Sequence, residues 1–169
     1  MSPALPIVLV GLPGSGKSKV GRLLAERLGT PHVDTDELIV QREGRSVSDV
    51  FASRGEAAFR VMETAAVSQA LQSRAVVSLG GGAAATPQVR SLLAGHTVVY
   101  IDAPHDELVR RTAGKTHRPL LAADPDGVLR RLRREREPHY RAVATLTVTT
   151  GPGPVGDVVT AIIDHLEQQ

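Results

Sequence analysis

Gly11-Leu12-Pro13-Gly14-Ser15-Gly16-Lys17-Ser18 matches the pattern GxxxxGK[S/T] in full and follows directly on the apolar run Pro6-Ile7-Val8-Leu9-Val10. A buried parallel strand is expected to end where that run ends. Glycines in the turn let the backbone wrap a phosphate with its N–H groups pointing inward, and the following helix contributes the positive end of its dipole. Val20, Leu23, Leu24 and Leu28 fall at i, i+3, i+4 and i+8, so a helix with one apolar face begins where a phosphate would need it. Nucleoside triphosphate binding is the expectation, with Gly14, Ser15 and Gly16 around the phosphates and Lys17 neutralising the β/γ charge. Ser18 then offers its hydroxyl to Mg²⁺. The bland alternative is a glycine-rich strand-to-helix turn.

Outward from this loop, four further apolar runs at 32–34, 75–79, 97–101 and 145–149 alternate with helical patterns at 56–72, 87–94, 106–112 and 154–166. Such alternation specifies an α/β fold with a five-stranded parallel sheet flanked by helices on both faces. The chain has 169 residues, enough for one domain with a sizeable core, and 41% of them are hydrophobic. Twenty basic and eighteen acidic residues leave a net charge of +2, which does not announce a nucleic-acid binder. No cysteine is present, which excludes disulfides and thiolate metal sites, and no apolar run is long enough to cross a bilayer. With no basic, apolar leader before the first strand, a cytoplasmic monomer acting on small molecules is expected, with neither nucleic acid nor membrane as partner.

Ligands of such sheets bind beyond the carboxyl ends of the strands, so the residues just after each run carry the chemistry. Asp34-Thr35-Asp36 follows the second run and Gly80-Gly81-Gly82 the third. One carboxylate there can hold Mg²⁺ while another orients or deprotonates an attacking hydroxyl; either could equally cap the helix beginning at Glu37. Three successive glycines strip side chains from one patch of backbone and let a substrate approach. Between Val47 and Glu63 lie Phe51, Phe59 and Arg60, on an insertion that could form a substrate pocket, although both phenyl rings could be ordinary core. The aperiodic stretch 114–126, with Arg118 inside it, reads as a lid over the transferring group. Arg130, Arg131, Arg133, Arg134 and Arg136 crowd one predicted helix, most of them on a solvated face.

In combination these motifs resemble the shikimate kinase family over nearly the whole chain. The likeness is carried by residues 11–18, Asp34-Thr35-Asp36, Gly55-Glu56 with Phe59-Arg60, Gly80-Gly81-Gly82, Arg118-Pro119-Leu120-Leu121, and Arg136 with Tyr140. It implies a P-loop kinase fold in a single domain over 1–169, with a substrate-binding segment at 35–63 and a lid at 114–126. The implied reaction is ATP-dependent, Mg²⁺-assisted phosphorylation of the shikimate 3-hydroxyl, on the route to chorismate and the aromatic amino acids. On this resemblance Asp36 contacts the acceptor hydroxyls and serves as base, and Asp34 helps hold Mg²⁺ through water. Arg60 and Arg136 clamp the acceptor carboxylate, Gly80, Gly81 and Gly82 line its ring, and Phe51 and Phe59 form an apolar wall. Arg118 bridges the lid to the phosphates, Arg111 packs on adenine, and Lys19 and Pro154 complete the ATP site. Lys19 departs from the family, which usually has threonine there. Two other functions remain open at this level: another small-metabolite kinase such as gluconate kinase, and a nucleotide-binding module without an acceptor.

Overall fold

A computed structural model describes residues 3–113 and 124–169. Five parallel strands form one sheet in the order β2-β3-β1-β4-β5: β1 Ile7–Val10, β2 His32–Asp34, β3 Val76–Ser78, β4 Thr97–Asp102 and β5 Leu146–Thr149. The helices are α1 Lys17–Leu28, α2 Thr35–Glu43, α3 Val47–Leu71, α4 Pro87–Leu93, α5 His105–Thr112, α6 Pro125–Val143 and α7 Val155–Glu167. A short 3-10 turn, Ala83–Ala85, precedes α4.

Strand β1 is central and buried on both faces, which explains its unbroken apolar run. Its alternate residues serve different layers. Ile7 and Leu9 pack with Val20 and Leu24 of α1 and Val159 and Ile162 of α7, while Val8 and Val10 pack with Val67 of α3, Leu108 of α5 and Leu129 of α6. Burying each layer fixes the register of the sheet, since a one-residue slip would exchange the two faces. The phosphate loop therefore emerges at the middle of the sheet, with the ends of β3 and β2 beside it on the same edge.

Among the boundaries that differ from the sequence reading, two concern α3 and α6. The helical pattern expected over 56–72 belongs to a longer helix, α3, that begins at Val47 and is broken at Gly55, whose φ of 82° and ψ of 170° lie in a region only glycine occupies readily. Pro125 and Asp126, assigned to the end of the lid, form the first turn of α6: Asp124 caps it by accepting from the Gly127 N–H at 3.1 Å, and proline suits the first helical position. Residues 114–123 of the expected lid, Arg118 included, lie outside the described residues. Among the arginines of α6, Arg130, Arg131 and Arg134 are exposed as expected. Arg133 is not: it donates to Asp102 Oδ1 at 3.1 Å, to Glu137 Oε2 at 2.8 Å and to the Ala103 carbonyl at 2.6 Å, fastening α6 to the end of β4.

Candidate active site

The loop between β1 and α1 turns through two left-handed glycines, Gly14 with φ 82° and Gly16 with φ 93°. Either would be strained with a side chain, and a methyl group at Gly14 would also sit 2.9 Å from Thr112 Cγ2 of α5. Gly16 precedes α1 without a side-chain cap, and a helix N-terminus of this kind suits an anion. Residues 14–19 line an open cleft of about 540 Å³ together with Arg22, Arg110, Arg111, Thr150, Gly151, Pro152, Gly153, Val155 and Val158. Its walls, Val20 among them, combine main chain, cations and three valines, a composition suited to a polyphosphate and a flat apolar group.

Arg111 ties this cleft together. Its Nη1 donates to the carbonyls of Gly14 and Ser15 at 3.2 and 3.1 Å, and its Nη2 to the Gly151 carbonyl at 2.8 Å. Glu107 Oε2, 3.3 Å from Arg111 Nε, holds the guanidinium from the other side. These contacts cross-link the phosphate loop to the segment before α7, a structural duty that the sequence reading did not anticipate. Lys19 is exposed on the cleft wall, and Pro154 caps α7 between the wall residues Gly153 and Val155.

At the other end of the loop, the three glycines after β3 each face a different charged side chain. A methyl group on Gly80 would lie 2.5 Å from Asp36 Oδ1, one on Gly81 would lie 3.0 Å from Arg136 Nη1, and one on Gly82 would lie 2.8 Å from Arg60 Nη2. Asp36 comes from α2, Arg60 from α3 and Arg136 from α6, so three elements converge on one strip of bare backbone. The strip also touches the phosphate loop, since the same methyl group on Gly81 would be 3.5 Å from Pro13 Cδ.

The electrostatics follow from this crowding. Burial, reinforced by the Asp34 carboxylate, raises the Asp36 pKa above its ordinary value, against the opposing pull of Lys17, Arg60 and Arg136. Asp34 itself is the cap of α2, its Oδ1 accepting from the Asp36 N–H at 2.8 Å and the Glu37 N–H at 3.3 Å. Helix α2 therefore starts at Thr35, two residues before the expected start. Capping occupies one oxygen of Asp34, so the structural and metal-holding readings of this residue are compatible. No cluster of three or more His, Cys, Asp or Glu suited to a metal occurs among the described residues. The Ser18 hydroxyl and the second oxygen of Asp34 are hard oxygen donors of the kind Mg²⁺ accepts, since it takes few protein ligands and keeps several waters.

Phe59 is buried in a small cluster with Ile39, Val50 and Ala66, whereas Phe51 is 39% exposed; their rings are 5.4 Å apart. Thus Phe59 is core, as the residue pattern alone allowed, and its ring supports that of the more exposed Phe51. Arg60 lies over the Phe59 ring, 5.4 Å from its centroid, and donates to Glu63 Oε1 at 2.7 Å. Glu63 is 1% exposed, its pKa raised by burial despite the arginine. The sequence reading gave Glu63 no part, although its i+3 spacing from Arg60 within a helix was a usable signal. Thr35 was missed too: buried behind Asp36, its hydroxyl accepts from the Gly80 N–H at 3.1 Å.

The family model for shikimate kinase matches residues 13–167. The shikimate kinase of Corynebacterium glutamicum is 50% identical over 165 residues, covering 96% of this chain and 98% of its own length. That of Mycobacterium tuberculosis is 52% identical over 163 residues, covering 95% and 92%. Among solved structures, the shikimate kinase from Acinetobacter baumannii in complex with shikimate superposes with a TM-score of 0.90 at 36% identity, over 96% of this chain and 92% of that one. The likeness runs through both ends of the site, from the phosphate loop to α6, and the chain belongs to the shikimate kinase family.

Proposed function

We propose that this chain transfers the γ-phosphoryl group of ATP to the 3-hydroxyl of shikimate, giving shikimate 3-phosphate and ADP. The observation that carries the reading is the convergence of Asp36, Arg60 and Arg136 on Gly80, Gly81 and Gly82 beside the phosphate loop. Two guanidiniums and one carboxylate around bare backbone suit a compact polyol bearing a carboxylate: the arginines bind the acid, and Asp36 takes the hydroxyl.

In the transfer, the 3-hydroxyl oxygen attacks the γ-phosphorus, the bond from phosphorus to the β,γ-bridging oxygen breaks, and ADP leaves. The hydroxyl proton passes to the Asp36 carboxylate, whose raised pKa makes it a better base than an ordinary aspartate. Main-chain N–H groups at residues 14–18 hold the phosphates, and Lys17 balances charge on the transferring group. Ser18 and one oxygen of Asp34 are the groups that would hold Mg²⁺, which neutralises phosphate charge when bound. Arg111, Lys19 and Pro154 border the nucleotide, and Arg118 is assigned to the transferring group by the family pattern. Phe51, backed by Phe59, covers the apolar face of the acceptor ring. No helix of the described residues is long and apolar enough to cross a membrane.

A coupled ADP-release assay with ATP, Mg²⁺ and a panel of shikimate, gluconate and nucleoside monophosphates tests this reading. Turnover with shikimate far above that with the others is expected. Preference for gluconate would move the chain to another acceptor class, and ADP release indifferent to every acceptor would leave only a nucleotide-binding module.

A further inference from the structure

Tyr140 was singled out in the sequence beside Arg136, yet nothing in the phosphoryl transfer uses it. Its side chain is 1% exposed, and its ring stacks against Tyr100 with centroids 5.3 Å apart. Its hydroxyl donates to the Gly81 carbonyl. Tyr140 follows Arg136 by one helical turn of α6, so the residue that grips Gly81 and the arginine that faces Gly81 share one helical segment, with Pro138 between them. Arg133 locks that segment to β4 through Asp102 and the Ala103 carbonyl.

Gly80, Gly81 and Gly82 have no side chains with which to hold their own conformation, and glycine is the residue freest to leave it. Their peptides are instead fixed from outside. The Thr35 hydroxyl holds the Gly80 N–H from the α2 side, and the Tyr140 hydroxyl holds the Gly81 carbonyl from the α6 side. The 3-10 turn takes the Gly80 and Gly82 carbonyls. Among the described residues, the Tyr140 hydrogen bond joins the strip to the helix bearing Arg136.

We propose that the Tyr140 hydroxyl is a positioning group for the acceptor: by fixing the Gly81 carbonyl it sets the glycine strip and Arg136 in one register. This rests on the proposed function, in that the acceptor is the ligand of that strip. The Tyr140 pKa is pushed up to about 12 by burial, so the hydroxyl keeps its proton and donates throughout the working pH range.

Tyr140→Phe deletes the hydroxyl and keeps the ring against Tyr100. The KM for shikimate is expected to rise about five- to tenfold, the loss of one hydrogen bond, with kcat and the KM for ATP within about twofold. Tyr100→Phe alters the same ring pair without touching the glycine strip, and is expected to leave all three constants near wild type. A shikimate KM for Tyr140→Phe within twofold of wild type, or an ATP KM that rises in step with it, overturns the role. The chain has only two tyrosines, so 3-fluorotyrosine labelling gives two ¹⁹F signals, assigned with Tyr100→Phe, in a fully folded wild type. The Tyr140 signal is expected to shift on saturation with shikimate and to stay fixed with an unreactive ATP analogue; no shift with shikimate would overturn the role even if Tyr140→Phe failed to fold. A wild type inert toward shikimate overturns the functional reading, and this role with it, whereas an active wild type with an unaffected variant overturns this role alone.

Discussion

The nucleotide end of the proposed site is built from main chain, and the acceptor end from side chains. At the first, one contiguous octapeptide bends through Gly14 and Gly16 to present peptide N–H groups at the start of α1. At the second, Asp36, Arg60 and Arg136 arrive from three helices, and the main chain supplies only a flat strip for them to surround. A backbone site is fixed by local turn geometry and tolerates many side chains around it. A side-chain site depends on how well distant helices are held, and so it recruits supports such as Glu63 and Arg133.

The largest effect is expected where the two ends meet. Lys17→Ala should cost on the order of 10³ to 10⁵ in turnover, the range for a cation at a transferring phosphoryl group, with a thermal midpoint near wild type. Turnover and Tm measured together check this; near-normal turnover would detach the octapeptide from catalysis.

Asp36→Asn should lower turnover by about 10² to 10⁴, as for loss of a general base. Because the pKa of Asp36 is raised in the folded protein, folding favours its neutral form, and stability at this position grows as pH falls through that pKa. Replacement by the neutral amide should therefore raise Tm at neutral pH while leaving only that reduced turnover. In the wild type, kcat/KM for the acceptor should fall as pH drops through a limb above the ordinary aspartate range, and that limb should vanish in Asp36→Asn. A variant less stable than wild type at pH 7, or one that keeps the limb, would contradict this electrostatic assignment.

A smaller effect is expected from Gly82→Ala. The added methyl group would press within 2.8 Å of Arg60 Nη2, and Glu63 restrains the guanidinium from moving away. Overpacking of this kind costs roughly 1–3 kcal/mol, so acceptor KM should rise about tenfold with ATP KM unchanged. An equal loss at both ligands would erase the distinction between the two ends.

That distinction also explains what could be read without a structure. The octapeptide is contiguous and follows an apolar strand, so its place at the end of a buried parallel strand followed from pattern alone, whereas the central position of that strand came only from the strand order. Asp36 and the glycine strip were singled out by the rule that function follows strand ends, and the structure brings them side by side. Thr35 lies in the same tripeptide but passed unnoticed, because a hydroxyl that accepts from Gly80 has no signature at that separation. The Arg60 and Glu63 pair had the spacing of a helical ion pair, whereas the bond from Tyr140 to Gly81 joins distant parts of the chain with no periodicity to announce it. The start of α6 was misread because Asp124-Pro125 serves as helix cap and first residue, while aspartate and proline equally mark loops.

The most direct test of a divided site is a parallel titration of Arg60→Ala and Arg136→Ala with shikimate and with ATP. Each arginine is expected to contribute a charge-assisted hydrogen bond to the acceptor carboxylate, about 1.5–3 kcal/mol, so shikimate affinity should fall roughly 10- to 150-fold with ATP affinity within about twofold of wild type. ATP affinity falling as far as shikimate affinity in either variant would place that arginine at the nucleotide and contradict the account.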